Sequence, residues 1–149
     1  MFYQKSDKLF YEYDNEKVLI QPWGENSLRV RVTSNKEFLD NNWALLPREK
    51  DESEIDIKEK KASIKNGNIR AEINEGGIVT FFNEKDEILL KEKWEKPNHD
   101  MSNRLPNGGG GGLYKDGREM KPREGENFKG ILRFEARDNE KLFGMGQYQ

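Results

Sequence analysis

Hydrophobic and polar residues alternate with a period of two along much of the chain. In residues 28–33, Leu, Val and Val alternate with Arg, Arg and Thr, and residues 69–73 repeat the pattern with Ile, Ala and Ile. A period of two is that of a β-strand with one buried face. The pattern therefore predicts half-buried strands.

Turn signals separate these stretches at short intervals. Asn66-Gly67 is the strongest hairpin signal, and Asn74–Gly77 and Asn83–Asp86 are rich in turn residues. The predicted strands are residues 9–13, 18–23, 28–33, 55–57, 62–65, 69–73, 78–82, 88–90 and 128–136. Short strands with frequent turns predict an all-β fold, an antiparallel β-sandwich.

Two stretches lack this regular succession of short strands and turns. Residues 34–54 hold apolar residues without a clean period, which predicts an irregular crossing with room for one short turn of helix. Residues 94–125 contain three prolines and the five glycines Gly108–Gly112. We expect one long Pro/Gly-rich loop here, since structureless stretches of this length are usually functional or disordered.

Composition restricts the classes of function. Hydrophobic residues make up 33% and charged residues 36% of the chain, yet the net charge is only -2. Positive and negative side chains are interleaved, which argues against nucleic-acid binding and favours a folded domain with charged outer faces. The sequence has no cysteine and no long apolar run. We therefore predict no membrane partner and a cytoplasmic location.

Candidate chemical groups are few. Gly108–Gly112 is not followed by a helix start, so a phosphate-binding loop is disfavoured. His99 is the lone histidine and lies in a polar stretch, so neither a metal site nor a cofactor is predicted. Each of Trp23, Trp43 and Trp94 could stack on a sugar ring or pack against the core. Trp94, at the start of the long loop, is the preferred sugar contact.

The end of the chain carries a family resemblance. Residues 132–137 alternate as a strand, a polar turn follows, and Leu142–Gln149 reads Leu-Phe-Gly-Met-Gly-Gln-Tyr-Gln. This stretch resembles the end of the N-terminal domain of glycoside hydrolase family 31, which includes α-glucosidases and α-xylosidases. The stretch Val18–Arg31 is similar to the opening strands of the same domain. Gln147 stands where many members have Glu.

The resemblance implies more than the alternation does. It implies a galactose mutarotase-like supersandwich that precedes a (β/α)₈ barrel, and the barrel carries the catalytic aspartates of the family. We therefore expect residues 1–149 to be one β-sandwich domain, an N-terminal fragment of a larger retaining α-glycoside hydrolase, with no catalytic residue of its own. Gln147, Tyr148 and Trp94 are the predicted substrate-binding residues.

Two other classes stay open: a free-standing carbohydrate-binding module and a small epimerase of the mutarotase type, which the single histidine disfavours. The expected partners are an α-linked oligosaccharide or glycoside and the barrel of the same chain. We also expect a weak homodimer that involves residues near Phe143 and Tyr148.

Overall fold

The computed structural model describes residues 1–14, 16–39, 45–46, 53–93, 118–123 and 127–138. These ranges contain eleven strands and no helix. The strands are β1 (Phe2–Lys5), β2 (Lys8–Tyr13), β3 (Glu16–Pro22), β4 (Leu28–Thr33), β5 (Glu54–Ile57), β6 (Lys61–Asn66), β7 (Ile69–Asn74), β8 (Val79–Phe82), β9 (Ile88–Lys91), β10 (Arg118–Arg123) and β11 (Asn127–Leu132).

The strands form two antiparallel meanders and one hairpin. The first sheet has the order β1-β2-β3-β4, the second has the order β5-β6-β7-β8-β9, and β10 pairs with β11. Within each sheet, strands that follow one another in sequence are therefore neighbours in space, as short connections favour. The prediction of an all-β antiparallel β-sandwich is confirmed.

The core lies between the two sheets and is built from alternate residues of the strands. Its buried members are Leu9, Tyr11, Val18, Ile20, Ala62, Ile64, Ala71, Ile73 and Val79. Leu28, Val30 and Val32 of β4 pack against this cluster, as their alternation predicts. Full burial of each large aliphatic side chain contributes about 1.5–3 kcal/mol, so this layer supplies most of the stabilisation of the sandwich.

The outer face of the first sheet is covered by the chain itself. Tyr3 stacks on Phe10 with ring centroids 4.9 Å apart, and Phe38 lies 6.4 Å from Phe10. Arg31 donates a hydrogen bond to the carbonyl of Leu39 (2.8 Å). The segment after β4 therefore crosses this face, and β3 is buried on both sides. The described parts of residues 34–54 contain no helical turn.

Asn66 ties the two sheets together instead of forming a turn. The hairpin turn falls at residues 67–68, one residue later than predicted. Asn66 is a buried strand residue whose Nδ2 donates to the carbonyls of Gly24 (2.8 Å) and Ser27 (2.7 Å). These two residues belong to the turn between β3 and β4, so the amide links the turn of one sheet to the hairpin of the other.

The backbone at Gly67 admits no side chain. Its φ is +57°, and a Cβ there would lie 2.1 Å from Oδ1 of Asn26. The same oxygen accepts a hydrogen bond from the backbone N–H of Asn68 at 2.7 Å. Glycine is therefore required both by the left-handed backbone conformation and by the close approach of Asn26.

Three strand predictions were incomplete or wrong. Strand β1 was missed, because residues 2–5 lack alternation and are fixed by pairing with β2. Residues 118–123 form β10 and not loop, since a proline is tolerated in a two-stranded hairpin. The strand predicted over 128–136 ends at Leu132, and Phe134 makes only an isolated bridge to Glu92. Its alternation does not create a buried face.

Candidate functional site

The predicted substrate-binding residues cannot be placed. Trp94, Gln147 and Tyr148 lie outside the described residues, and so do His99 and Phe143. The glycine run at 108–112 and Trp43 lie outside them as well. The predicted sugar contacts therefore stay predictions.

Trp23 is the tryptophan that the structure describes, and it is half-buried in the turn after β3. The guanidinium carbon of Arg29 lies 4.4 Å from the centre of its ring, a cation–π contact. The hydroxyl of Ser27 donates a hydrogen bond to the carbonyl oxygen of Trp23. One ring face is thus already occupied, which favours packing over sugar stacking at this tryptophan.

The most concentrated group of buried charges lies at the end of the sandwich. It consists of Arg118, Glu16 and Glu92, and we call it the Arg118 cluster. Glu16 begins β3 of the first sheet, Glu92 follows β9 of the second, and Arg118 begins the hairpin. The cluster thus joins all three pieces of β-structure.

The contacts within the Arg118 cluster are close. Nε of Arg118 lies 3.3 Å from Oε1 of Glu92, and Nη1 lies 3.4 Å from Oε1 of Glu16. Its Nη2 donates to the carbonyl of Gly77. The second carboxylate oxygen of Glu92 accepts a hydrogen bond from the N–H of Val79 (2.8 Å). The Arg118 and Glu92 side chains are each 4% exposed, and that of Glu16 is 20% exposed.

Two carboxylates that contact one arginine can be compared with the catalytic pair of a glycosidase. A retaining enzyme needs its two carboxyl groups about 5 Å apart with the sugar between them. Here the guanidinium of Arg118 contacts both Glu16 and Glu92, and two of the three side chains are almost wholly buried. The arrangement links β3, the end of β9 and the hairpin through one arginine, which is a structural role.

Two tyrosines have raised pKa values. Burial, and next the negative charge of Glu16, raise the pKa of Tyr11 to about 12, while Arg118 acts in the opposite direction. The Tyr11 hydroxyl donates to the carbonyl of Glu75 at 2.8 Å. Burial and a hydrogen bond to Glu12 (2.7 Å) raise the pKa of Tyr3 to about 12. Neither phenol is suited to act as a base near neutral pH.

Surface grooves provide the remaining candidates. A groove of about 360 Å³ is lined in part by Arg29, Arg31, Phe38 and Leu39, a size within the range of small-ligand sites. Across the described ranges, no three His, Cys, Asp or Glu residues come together in a way that suits a metal ion. No helix in these ranges is long and apolar enough to cross a membrane.

Sequence reasoning missed the Arg118 cluster. Its members are far apart in the chain and sit among many other Glu and Arg residues. A charged residue within a strand pattern is ordinarily a solvated one, so no local signal distinguishes these three. Only the folding of the two sheets and the hairpin onto one another brings them together.

The two antiparallel sheets and the core between them define a β-sandwich domain. A scan of protein-family models finds no match. A curated protein from Pseudescherichia vulneris, "Uncharacterized family 31 glucosidase ORF2", is 37% identical over 149 residues, which is 98% of this chain and 28% of that protein.

A solved structure agrees with this relative. The crystal structure of a GH31 α-xylosidase from a soil metagenome, complexed with xylose, matches 100% of this chain and 22% of its own. The TM-score is 0.83 and the identity is 39%. Both matches agree with the predicted resemblance to glycoside hydrolase family 31. The chain spans about a quarter of the length of these two relatives.

Proposed function

We propose that this chain is the N-terminal β-sandwich domain of a retaining α-glycoside hydrolase of the α-glucosidase or α-xylosidase type. It packs on a catalytic (β/α)₈ barrel and helps to shape the sugar-binding pocket. The bond-breaking carboxylates are supplied by the barrel. A galactose mutarotase-like arrangement of the sandwich and a cytoplasmic location are parts of this proposal.

One observation carries the proposal. The whole chain aligns with the α-xylosidase structure at a TM-score of 0.83 but covers 22% of it. Identity of 39% extends over the entire sandwich and not over one short motif. The Arg118 cluster is consistent with the same assignment, because both of its carboxylates, those of Glu16 and Glu92, contact an arginine.

A chimeric enzyme tests the proposal. The matched 22% of the soil-metagenome α-xylosidase is replaced by this entire chain, and hydrolysis of an aryl α-xyloside is measured. We expect the chimera to hydrolyse the substrate, whereas the same xylosidase with that part deleted is inactive. The isolated chain should show no turnover above a no-protein control.

Two results would contradict the proposal. One is an inactive, unfolded chimera made with the wild-type chain. The other is hydrolysis by the isolated chain that disappears in Glu16→Gln or Glu92→Gln, which would identify a catalytic pair within the sandwich. Binding of xylose or glucose oligosaccharides by the isolated chain, together with an inactive chimera, would favour a free-standing carbohydrate-binding module.

A further inference from the structure

Asn66 and Gly67 form an Asn-Gly pair, a sequence in which the asparagine side chain is easily attacked by the following backbone nitrogen. In an open chain this attack converts the asparagine into aspartate or isoaspartate, because glycine has no side chain to hinder the approach. The sequence contains a second such pair, Asn107-Gly108. Asn66 is only 6% exposed, so a chemically reactive pair lies at a buried position of the fold.

The fold requires both residues of this pair. The Nδ2 of Asn66 carries two N–H groups and donates to two carbonyls, those of Gly24 (2.8 Å) and Ser27 (2.7 Å). Gly67 has a φ of +57°, and a Cβ there would lie 2.1 Å from Oδ1 of Asn26. An amide at position 66 and a glycine at position 67 are therefore both needed where the two turns meet. We call this meeting the turn contact, and its members are Gly24, Asn26, Ser27, Asn66, Gly67 and Asn68.

The turn contact also holds Asn66 in an unreactive geometry. Cyclisation requires Cγ of Asn66 to reach the backbone nitrogen of Gly67, so the side chain has to rotate and the backbone has to leave the extended conformation of β6. Rotation breaks both hydrogen bonds of Nδ2, and the backbone of residue 66 is paired with Ile69. The reaction therefore requires local opening of the turn contact.

We propose that Asn66 is a deamidation site that the turn contact keeps inert, and that its reaction marks chains that have opened there. The nitrogen of Gly67 loses its proton to a base in solution, and its electron pair forms a bond to Cγ of Asn66. The Cγ–Nδ2 bond then breaks, and ammonia leaves. Water opens the cyclic imide at either carbonyl, so that amide and water become carboxylic acid and ammonia.

The product cannot rebuild the turn contact. A carboxylate has no N–H to donate, so the carbonyls of Gly24 and Ser27 lose their partner and face a negative charge instead. Isoaspartate also lengthens the backbone by one carbon beside the residue that pairs with Ile69. Because buried polar groups without partners are destabilising, a reacted chain loses the link between its two sheets. The modification is therefore a one-way change that follows opening.

The rate of deamidation in the folded and the unfolded chain tests the proposal. The entire wild-type chain is incubated at mildly alkaline pH with and without urea, and mass spectrometry of its peptides follows the loss of each side-chain amide. In urea, Asn66 and Asn107 should react at similar rates. Without urea, Asn66 should react at least about a hundredfold more slowly than in urea, because the reaction is confined to the opened fraction.

A variant outside the reactive pair shows whether the turn contact provides the protection. Asn26→Gly removes the oxygen that accepts from the N–H of Asn68 and suits the φ of +53° at that position. It should raise the rate at Asn66 without urea at least about fivefold and leave the rate in urea unchanged. Ile73→Val, in the core at the far end of β7, is the control for general destabilisation and should raise the rate less.

The aspartate product is tested directly by Asn66→Asp. This variant should lower the midpoint of thermal unfolding by at least about 5 °C, because it leaves two carbonyls without a donor. Asn68→Asp is the matched control, since it makes the same change at an exposed side chain of the same hairpin turn. It should alter the midpoint by about 1 °C or less.

Four outcomes would overturn the inference. They are equal rates at Asn66 with and without urea, no reaction at Asn66 in urea, equal acceleration by Asn26→Gly and Ile73→Val, and equal stability of Asn66→Asp and Asn68→Asp. The comparison of rates uses the wild-type chain, so it decides the proposal even where Asn66→Asp fails to fold. None of these measurements depends on the proposed function.

Discussion

Two arginines of this domain each contact two carboxylates, but one arginine is buried and the other is partly exposed. Arg118 contacts Glu92 at 3.3 Å and Glu16 at 3.4 Å, and Arg70 contacts Glu72 at 3.4 Å and Asp86 at 2.7 Å. The Arg118 side chain is 4% exposed, whereas that of Arg70 is 25% exposed and its partner Asp86 is 79% exposed. Burial, and not separation, distinguishes the two groups.

This difference in burial determines how much each group of ion pairs can contribute to stability. Around Arg70, all three charged side chains keep some exposure to water, so hydration compensates much of the loss of a partner. Arg70 also lies over the ring of Phe82, with Cζ 4.2 Å from its centre, on the solvated outer face of the second sheet. Around Arg118, water is mostly excluded, so each charge depends on the others. The Arg118 cluster can therefore hold the hairpin in place, whereas the ion pairs of Arg70 contribute little to stability.

Removal of the buried arginine is expected to have the largest effect. Arg118→Met leaves the carboxylates of Glu16 and Glu92 without their counter-charge, which costs about 3–5 kcal/mol of unfolding free energy. Arg70→Met should cost about 1 kcal/mol or less. Urea unfolding of the whole chain measures both values. Equal costs would show that the Arg118 cluster is solvated in solution.

Neutralising one acid in each group gives a smaller contrast. Glu92→Gln preserves an acceptor for the N–H of Val79 but removes the charge that faces Arg118, at an expected cost of about 2 kcal/mol. The matched change Glu72→Gln should cost about 0.5 kcal/mol. Thermal or urea unfolding provides the comparison. A larger loss for Glu72→Gln would reverse the assignment of the two groups.

Ionisation of Tyr11 at high pH gives a further test of the surroundings of the Arg118 cluster. Its pKa is raised from 10.0 to about 12 in the folded chain, so the unfolded chain ionises first. The stabilisation that Tyr11 provides is complete below pH 10 and is lost progressively between pH 10 and pH 12. Tyr11→Phe should make the unfolding free energy fall less steeply in that window. The pKa of Tyr3 is also raised to about 12, so Tyr3→Phe should change the slope in the same direction.

The same titration reports on Arg118. Its positive charge lowers the pKa of Tyr11, so Arg118→Met should move the Tyr11 transition to higher pH. Ultraviolet absorbance of the phenolate, measured with Tyr11→Phe as the blank, follows this shift. A transition that stays in place in Arg118→Met would mean that the guanidinium does not lie near Tyr11.

High salt should produce the smallest change in unfolding free energy, and it should weaken the ion pairs of Arg70 but not the Arg118 cluster. At an ionic strength of about 1 M the screening length falls to about 3 Å, which weakens exposed ion pairs. We expect the difference in unfolding free energy between wild type and Arg70→Met to approach zero as salt rises. The difference for Arg118→Met should change little. Similar salt dependence for both variants would remove the contrast between them.

The sequence predicts the strands well where one face of a strand is buried against the opposite sheet. In β7 the alternation identifies the core residues directly, because Ala71 and Ile73 are buried whereas Arg70 and Glu72 are partly exposed. In β4 it identifies Leu28, Val30 and Val32, which are partly buried and pack against the core. Strand β1 lacks this signal, since its position is set by pairing with β2. Asn66 was misassigned because its turn-forming tendency hides its role as a buried amide.

The candidate site was less predictable than the fold. The Arg118 cluster depends on contacts between residues that are distant in sequence, and nothing local marks Glu16 or Glu92 among the other acids. The family resemblance identified the family correctly without reference to these residues. The predicted substrate contacts Trp94, Gln147 and Tyr148 lie outside the described residues and stay predictions.

The anchoring of the hairpin base has a consequence for protein engineering. Lys93 is bonded to Arg133, and Arg118 touches Glu92, so the chain leaves the sandwich and re-enters it at the same place. The two described residues that flank this connection, Lys93 and Arg118, are therefore both held near the end of β9. Doubling the length of a flexible closed segment costs only about 0.6 kcal/mol. This position is a natural insertion point, where a reporter or a second domain can be grafted while both sheets keep their register.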